Sequence, residues 1–210
     1  MTSAASTETA SRTMTFEQLV RGRASAKELA AHLDALPPDE RVAEVVAVKG
    51  RGLARLWELV EGAAPLSVDE ILPASETGTR IYEGRNSLAA FSRFQKRMTR
   101  LPDGQVVGYN HQSMSFLTGP GYFLVKPPPE AGPHAGELYF DYTEPPPSIG
   151  PGRGEPAGWP TFKPNEAGLS RLVYARMKDY CRRIARGVLI GMAFKDDVSQ
   201  NAWFTLTYRG

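Results

Sequence analysis

Alternation of side chains along the chain is clearest in its middle, over residues 104–127. Residues 106–113 alternate so that two sets of side chains would lie on opposite faces of an extended strand. Pro120 and Gly121 suit the two central positions of a type II turn, the second of which needs a positive φ. Residues 122–125 then read as a second strand. The pattern predicts a pair of neighbouring strands joined across this turn.

Helical spacing of apolar residues dominates the N-terminal part, over residues 15–62. Thr15 and Ser25 each begin a capping box, in which a glutamine or glutamate three residues later reaches back to the cap. Residues 1–13 are rich in serine, threonine and alanine and lack large apolar side chains, which is typical of a disordered tail. The chain is therefore predicted to have three parts: a tail at 1–13, a helical segment at 14–62 and an α+β domain at 63–210.

Two further helices are predicted in the α+β domain. Apolar residues three and four apart predict a helix that starts near Ser87 and runs to Leu101. A C-terminal helix is predicted over 169–186, where one side of a helix would collect the following residues: Leu169, Val173, Met177, Tyr180 and Ile184. A strand remains an alternative over 170–186, because apolar residues there also alternate with polar ones.

Short strands complete the domain, and they are predicted at 80–83, 137–143, 188–195 and 202–209. The last two form a hairpin that resembles the closing strands of small ligand-binding β-barrels. Strands joined by turns favour antiparallel pairing. The predicted fold is α+β: an N-terminal helical segment packed on a curved, mainly antiparallel sheet or small β-barrel, with a C-terminal helix and hairpin.

A long proline- and glycine-rich loop occupies residues 144–168. Loops beyond about 15 residues without secondary structure are usually functional or disordered. Trp159 and Phe162 give this loop side chains to bury. We therefore predict a partly packed lid, with a solvated loop as the alternative.

Charge and composition exclude several classes of protein. The formal net charge is +2, so the balance does not indicate a nucleic-acid-binding protein. The single cysteine, Cys181, excludes an internal disulfide. Arginine exceeds lysine by 18 to 7, which is typical of a GC-rich bacterial genome. The N-terminus lacks the apolar core of a signal peptide, and no apolar run approaches the ~20 residues of a membrane span, so a cytoplasmic protein is expected.

Aromatic residues in the last two thirds of the chain are the main indication of a binding site. Alternation would bring some of them to each sheet face, and a face that helices do not cover needs a lid, a partner or a ligand. Four residues are predicted to supply polar groups to such a pocket: Tyr109, His111, Tyr139 and Asp141. The primary prediction is a domain that binds an apolar small molecule or lipid. The glycine patterns and scattered histidines indicate neither a cofactor nor a metal.

Two alternatives remain open. In the first, the protein is an isomerase, cyclase or hydrolase that uses His111 as a general base in the same pocket, because a histidine titrates near neutral pH. In the second, the N-terminal helices form an interaction module that docks a partner protein or a second copy of the chain in a homodimer.

Overall fold

Eight antiparallel strands form a closed barrel in the computed structural model of the chain. The structure describes residues 14–88, 92–112, 119–144, 146–150 and 152–210. Each strand pairs with the next, and β8 pairs with β1 to close the barrel. The strands are β1 Arg80–Asn86, β2 Arg93–Arg100, β3 Val106–His111, β4 Tyr122–Lys126, β5 Leu138–Asp141, β6 Met177–Ala185, β7 Val188–Lys195 and β8 Val198–Tyr208.

Helices of the described residues lie mainly before the barrel in the chain. They are α1 Phe16–Arg21, α2 Ala26–Ala35, α3 Pro38–Ala47, α4 Arg51–Leu59, α5 Val68–Ile71 and α6 Ser170–Val173. The capping boxes predicted at Thr15 and Ser25 are confirmed, and Ser67 begins a third at α5. The tail predicted at 1–13 lies outside the described residues.

The helices α1–α4 cover the outer face of β6–β8. Their buried side chains, among them Phe16 and Leu33, pack in one cluster with Tyr180, Val188 and Ile190 of the barrel wall. This arrangement buries apolar side chains on the outer face of these strands as well as on the inner face. The wall therefore has buried side chains on both sides in this part of the molecule.

One end of the barrel is closed by apolar packing. The loop and helix around α5 contribute Ile71 and Leu72 to a cluster with Tyr82 and Met98 of the wall. The Tyr82 hydroxyl donates a hydrogen bond to the Ile71 carbonyl at 2.8 Å, and burial raises the pKa of Tyr82 to about 12. We call this the closed end, and the opposite end of the barrel the open end.

Glycines on the inner face lie opposite aromatic residues. Gly84 pairs with Phe94, Gly108 with Phe123, and Gly191 with Phe204. A Cβ placed on Gly191 would lie only 2.1 Å from the Phe204 ring, so only glycine leaves space for the ring there. The aromatic rings thus fill the barrel by lying over neighbouring glycines.

Two helix predictions are wrong. The segment predicted as helical up to Leu101 contains β2, and the predicted C-terminal helix over 169–186 is replaced by α6 and the nine-residue strand β6. The strand alternative for 170–186 is correct over Met177–Ala185. Because β6 has buried side chains on both faces, its apolar residues also fit a helical period, and tertiary packing decides between the two.

The predicted strands and the barrel form are confirmed. Strands occur at each predicted position, and β7 and β8 form the predicted closing hairpin. Gly121 has a positive φ of 58° and β3 pairs with β4, whereas the stretch predicted to form the turn, 118–121, begins at a residue outside the described part of the chain. Residues 113–118, between these strands, lie outside the described part of the chain.

Candidate binding cavity

A cavity of about 530 Å³ occupies the open end of the barrel. Its lining comes from the ends of β1, β3 and β7, the beginnings of β2, β6 and β8, and α6. The lining side chains are mostly apolar and include Phe94, Met177, Ala193, Trp203 and Phe204. The cavity does not continue to the closed end, because apolar side chains fill the barrel interior there.

The rim of the cavity exposes large apolar side chains. Leu88, Leu169, Leu172 and Val173 line the cavity and are 58%, 52%, 69% and 40% exposed, respectively. Three of these belong to α6 or its cap. Exposed apolar residues that cluster around an apolar cavity are characteristic of a site that receives a hydrophobic ligand.

A buried lysine lies among polar side chains on the cavity wall. Lys96 of β2 is 1% exposed. Its ammonium donates hydrogen bonds to Asn110 Oδ1 at 3.0 Å, to Asp179 Oδ2 at 3.1 Å and to the Tyr142 hydroxyl. All three ammonium protons thus have an acceptor, which offsets much of the free-energy cost of burying the charge.

The partners of Lys96 are also bonded to one another. The Tyr142 hydroxyl donates to Asp179 Oδ2 at 3.1 Å and accepts from Asn110 Nδ2 at 3.0 Å. Lys96, Asn110, Tyr142 and Asp179 all line the cavity. We call these four residues the lysine cluster.

Aromatic rings enclose the ammonium of the lysine cluster. Lys96 Nζ lies 4.6 Å from the ring centres of Phe123 and Phe140, and 5.2 Å from that of Phe204. A cation gains energy from the faces of aromatic rings within about 6 Å, most strongly when it is desolvated. The ammonium therefore has both an anionic partner and a surrounding of polarisable rings.

Burial changes the protonation equilibria of the lysine cluster. Desolvation lowers the pKa of Lys96, although the charge of Asp179 opposes the shift. Desolvation, with the Asp179 charge as a second cause, holds the pKa of Tyr142 well above its ordinary value. Tyr142 is therefore a neutral hydroxyl, and Lys96 gives up a proton more readily than an exposed lysine does.

The predicted site residues Tyr109 and His111 lie on the outer face of β3. Tyr109 is buried and packs against Trp159, with ring centres 4.8 Å apart. The rings of His111 and Tyr109 are 6.3 Å apart in an edge-on arrangement. Partial burial and the charge of Arg97 lower the pKa of His111. The structure brings these two residues together, and neither lines the cavity.

The predicted site residues Tyr139 and Asp141 lie on the outer face of β5. The Tyr139 ring contacts Tyr180, with centres 5.2 Å apart. Asp141 Oδ1 accepts hydrogen bonds from the backbone nitrogen and hydroxyl of Thr143, at 2.8 and 2.6 Å. Their inner-face neighbours in sequence are Phe140 and Tyr142, and Tyr142 belongs to the lysine cluster.

The long loop at 144–168 covers the outer wall of β3 and β4. Ile149, Trp159 and Phe162 pack on a cluster that contains Tyr109 and Tyr122. The Tyr122 hydroxyl donates to the Pro160 carbonyl at 2.7 Å. The described residues of this loop do not line the cavity, so the predicted lid lies against the side of the barrel.

Sequence reasoning missed Lys96, Asn110, Tyr142 and Asp179. One signal was available: Lys96 is followed at alternate positions by Met98 and preceded by Phe94, so a charged residue stands in the apolar set of a strand. The helix predicted over this segment hid that alternation, since a helix would place Lys96 on its polar side. Asp179 was hidden in the same way by the helix predicted over 169–186.

Metal-binding clusters and membrane-spanning helices are absent from the described residues. Among the described residues, no group of three or more histidine, cysteine, aspartate or glutamate side chains could hold a metal ion. In the same part of the chain, no helix has the length and apolarity needed to cross a membrane. Comparisons with protein-family models, with curated proteins and with solved structures found no match.

Proposed function

We propose that the protein binds a small, mostly apolar molecule in the cavity at the open end of the barrel. The observation that carries this proposal is the cavity itself: about 530 Å³ of mostly apolar lining, with the buried lysine cluster on its wall. Ligand sites usually combine an apolar lining with a few convergent polar groups that fix orientation. The apolar part of the ligand would lie along Phe94 and Trp203, and an oxygen-bearing group would face Lys96.

Thermal unfolding with and without ligand tests this proposal. The probes are 1-octanol, octanoate and a fluorescent hydrophobic dye. A ligand that binds only the folded state at 100 times its Kd adds about 2.7 kcal/mol to the free energy of unfolding. We therefore expect the melting temperature of the chain to rise with at least one of these probes.

Two matched variants locate the binding. Ala193→Phe places a ring in the cavity, because Ala193 lines it and is 9% exposed. Ala31→Phe makes the same change on the exposed side of α2. We expect the ligand-induced rise to disappear in Ala193→Phe and to persist in Ala31→Phe. No rise with any probe, or an equal rise in both variants, would count against the proposal.

The two alternative functions have less support. A reaction that uses His111 would take place on the outer wall, away from the cavity. An interaction module formed by the N-terminal helices would need their apolar faces, and those of α1, α2 and α4 are buried against one another and against β6 and β7.

A further inference from the structure

We propose that Lys96 binds a carbonyl ligand covalently, through an iminium bond between Nζ and the carbonyl carbon of an aldehyde or ketone. This inference rests on the proposed function, since the ligand must first enter the cavity. It names the class of ligand: a molecule with an apolar body and one aldehyde or ketone group.

Lys96 is one of the residues that line the cavity, and 1% of its surface is exposed. Phe123 and Phe140 contact the ammonium but do not line the cavity, so they lie behind it. Asn110, Tyr142 and Asp179 contact the ammonium and line the cavity. A ligand that reaches Lys96 therefore meets a hydroxyl, an amide and a carboxylate at the same point.

The lysine cluster contains the groups that imine formation needs. Lys96 passes one proton to Asp179, and the free Nζ lone pair attacks the carbonyl carbon while the C=O π electrons move to oxygen. The oxygen takes up a proton from the Tyr142 hydroxyl, which recovers one from Asp179, its hydrogen-bond partner. Two ammonium protons leave on that oxygen as water, and the third stays on the iminium nitrogen. The atoms balance: ammonium and carbonyl give iminium and water.

Charge balance favours a carbonyl over a carboxylate as the group that faces Lys96. Asp179 already compensates the ammonium, so a carboxylate would add an uncompensated buried negative charge. Reaction with a neutral carbonyl replaces one cation, the ammonium, by another, the iminium. The iminium keeps its pairing with Asp179 and remains among the aromatic rings that stabilise the ammonium.

Reductive trapping tests the inference. The intact chain is incubated with limiting octanal and sodium cyanoborohydride, which reduces an iminium to a stable secondary amine, and the labelled peptide is identified by mass spectrometry. We expect an octyl group on Lys96, in addition to any label on the α-amino group, whose ordinary pKa of about 8 also leaves it partly neutral. Labelling of Lys96 should exceed that of Lys126, because burial lowers the pKa of Lys96 and the Glu144 hydrogen bond raises that of Lys126.

Lys126 is a matched control on the outer wall. It lies at the end of β4, its ammonium is 2.9 Å from Glu144 Oε2, and this hydrogen bond raises its pKa. Lys126→Arg should leave the label on Lys96 unchanged. Lys96→Arg should remove it, since a guanidinium cannot form the bond. If Lys96→Arg does not fold, the peptide map of the unaltered chain still decides the question.

The same experiment separates this inference from the proposed function. 1-Octanol has the chain length of octanal and no carbonyl. If 1-octanol raises the melting temperature while octanal labels exposed lysines and leaves Lys96 unmodified, the iminium is overturned and cavity binding stands. If neither compound stabilises the chain and Lys96 is unlabelled, both proposals fail.

Discussion

The two faces of the barrel wall carry different clusters built from neighbouring residues of the same strands. On the inner face of β3, Asn110 joins Lys96, Tyr142 and Asp179 around a buried charge. On the outer face, Tyr109 packs with Trp159 under the long loop. Both clusters are rich in aromatic rings and both are shielded from water. They differ in composition. The inner cluster contains an ion pair and lines the cavity of about 530 Å³, whereas the outer cluster consists of aromatic and aliphatic side chains.

This difference shows that aromatic content alone does not identify a binding face in a barrel. The loop at 144–168 covers the outer face of β3 and β4 with side chains of the same chain, and Ile149 and Phe162 of this loop also line a smaller cavity of about 350 Å³. The inner face at the open end leaves space that no described side chain fills. The mostly apolar cavity of about 530 Å³ with the lysine cluster on its wall, rather than the number of aromatic rings, therefore distinguishes the candidate site.

The largest predicted effect is a difference in stability loss between substitutions of two aspartates, Asp179 and Asp141, which are each 4% exposed. Asp179→Asn removes the charge that compensates Lys96, and loss of one partner of a buried ion pair costs about 3–5 kcal/mol. Asp141→Asn changes the same residue type on the outer face, where Thr143 donates two hydrogen bonds to the carboxylate, and should cost about 1 kcal/mol. Urea unfolding measures both values.

A second substitution checks the cause of the larger loss. Lys96→Met added to Asp179→Asn removes the uncompensated charge, so the double variant should recover part of the stability lost by the single one. Equal losses for Asp179→Asn and Asp141→Asn would mean that the inner and outer faces do not differ in this respect.

An intermediate effect is expected when substitutions of two partly buried tryptophans, Trp159 and Trp203, are compared for stabilisation by a cavity ligand. Trp159→Ala removes the ring that packs on Tyr109 and Tyr122, together with a hydrogen bond to Thr79, and should cost about 1–2 kcal/mol. The stabilisation by a cavity ligand should not change, because Trp159 lies on the outer face. Trp203 lines the cavity and also packs on the cluster formed with α1–α4, and Trp203→Ala, which alters the cavity lining, should reduce that stabilisation. The comparison fails if Trp159→Ala abolishes the ligand effect.

The smallest effect concerns an ion pair near the closed end. The hydrogen bond from Arg183 lowers the pKa of Glu70 to about 2. Because the folded pKa lies below the unfolded value of 4.5, this stabilisation is present above pH 4.5 and is lost as the pH falls through about 2. The Glu70 side chain is 43% exposed, so its contribution is below about 1 kcal/mol.

The pH dependence of stability measures this contribution. Glu70→Gln should reduce the difference between the unfolding free energies at pH 7 and pH 3. Arg183→Gln should have the same effect, and the double variant should add little to either one. An unchanged pH dependence in both single variants would contradict the assignment.

The fold was predictable where a short stretch of sequence favours one local structure over all others. The Thr15 and Ser25 capping boxes are helix starts in the structure, and the strands around Pro120 and Gly121 pair as expected. Prediction failed at β2 and β6, where apolar residues fit both a helical and an alternating period. It also missed the lysine cluster, whose members come from four separate segments of the chain.

The sequence by itself determined the helix starts at Thr15 and Ser25 and six of the eight strands that form the barrel. Tertiary structure decided which residues of each strand lie inside. The physical reason is that helices cover β6–β8 and a loop covers β3–β4, so apolar side chains occur on both faces of the wall. The hydrophobicity of a side chain therefore does not show whether it lies inside the barrel or on its outer face. Only closure of the barrel places Lys96, Asn110, Tyr142 and Asp179 together, and His111 on the outer face.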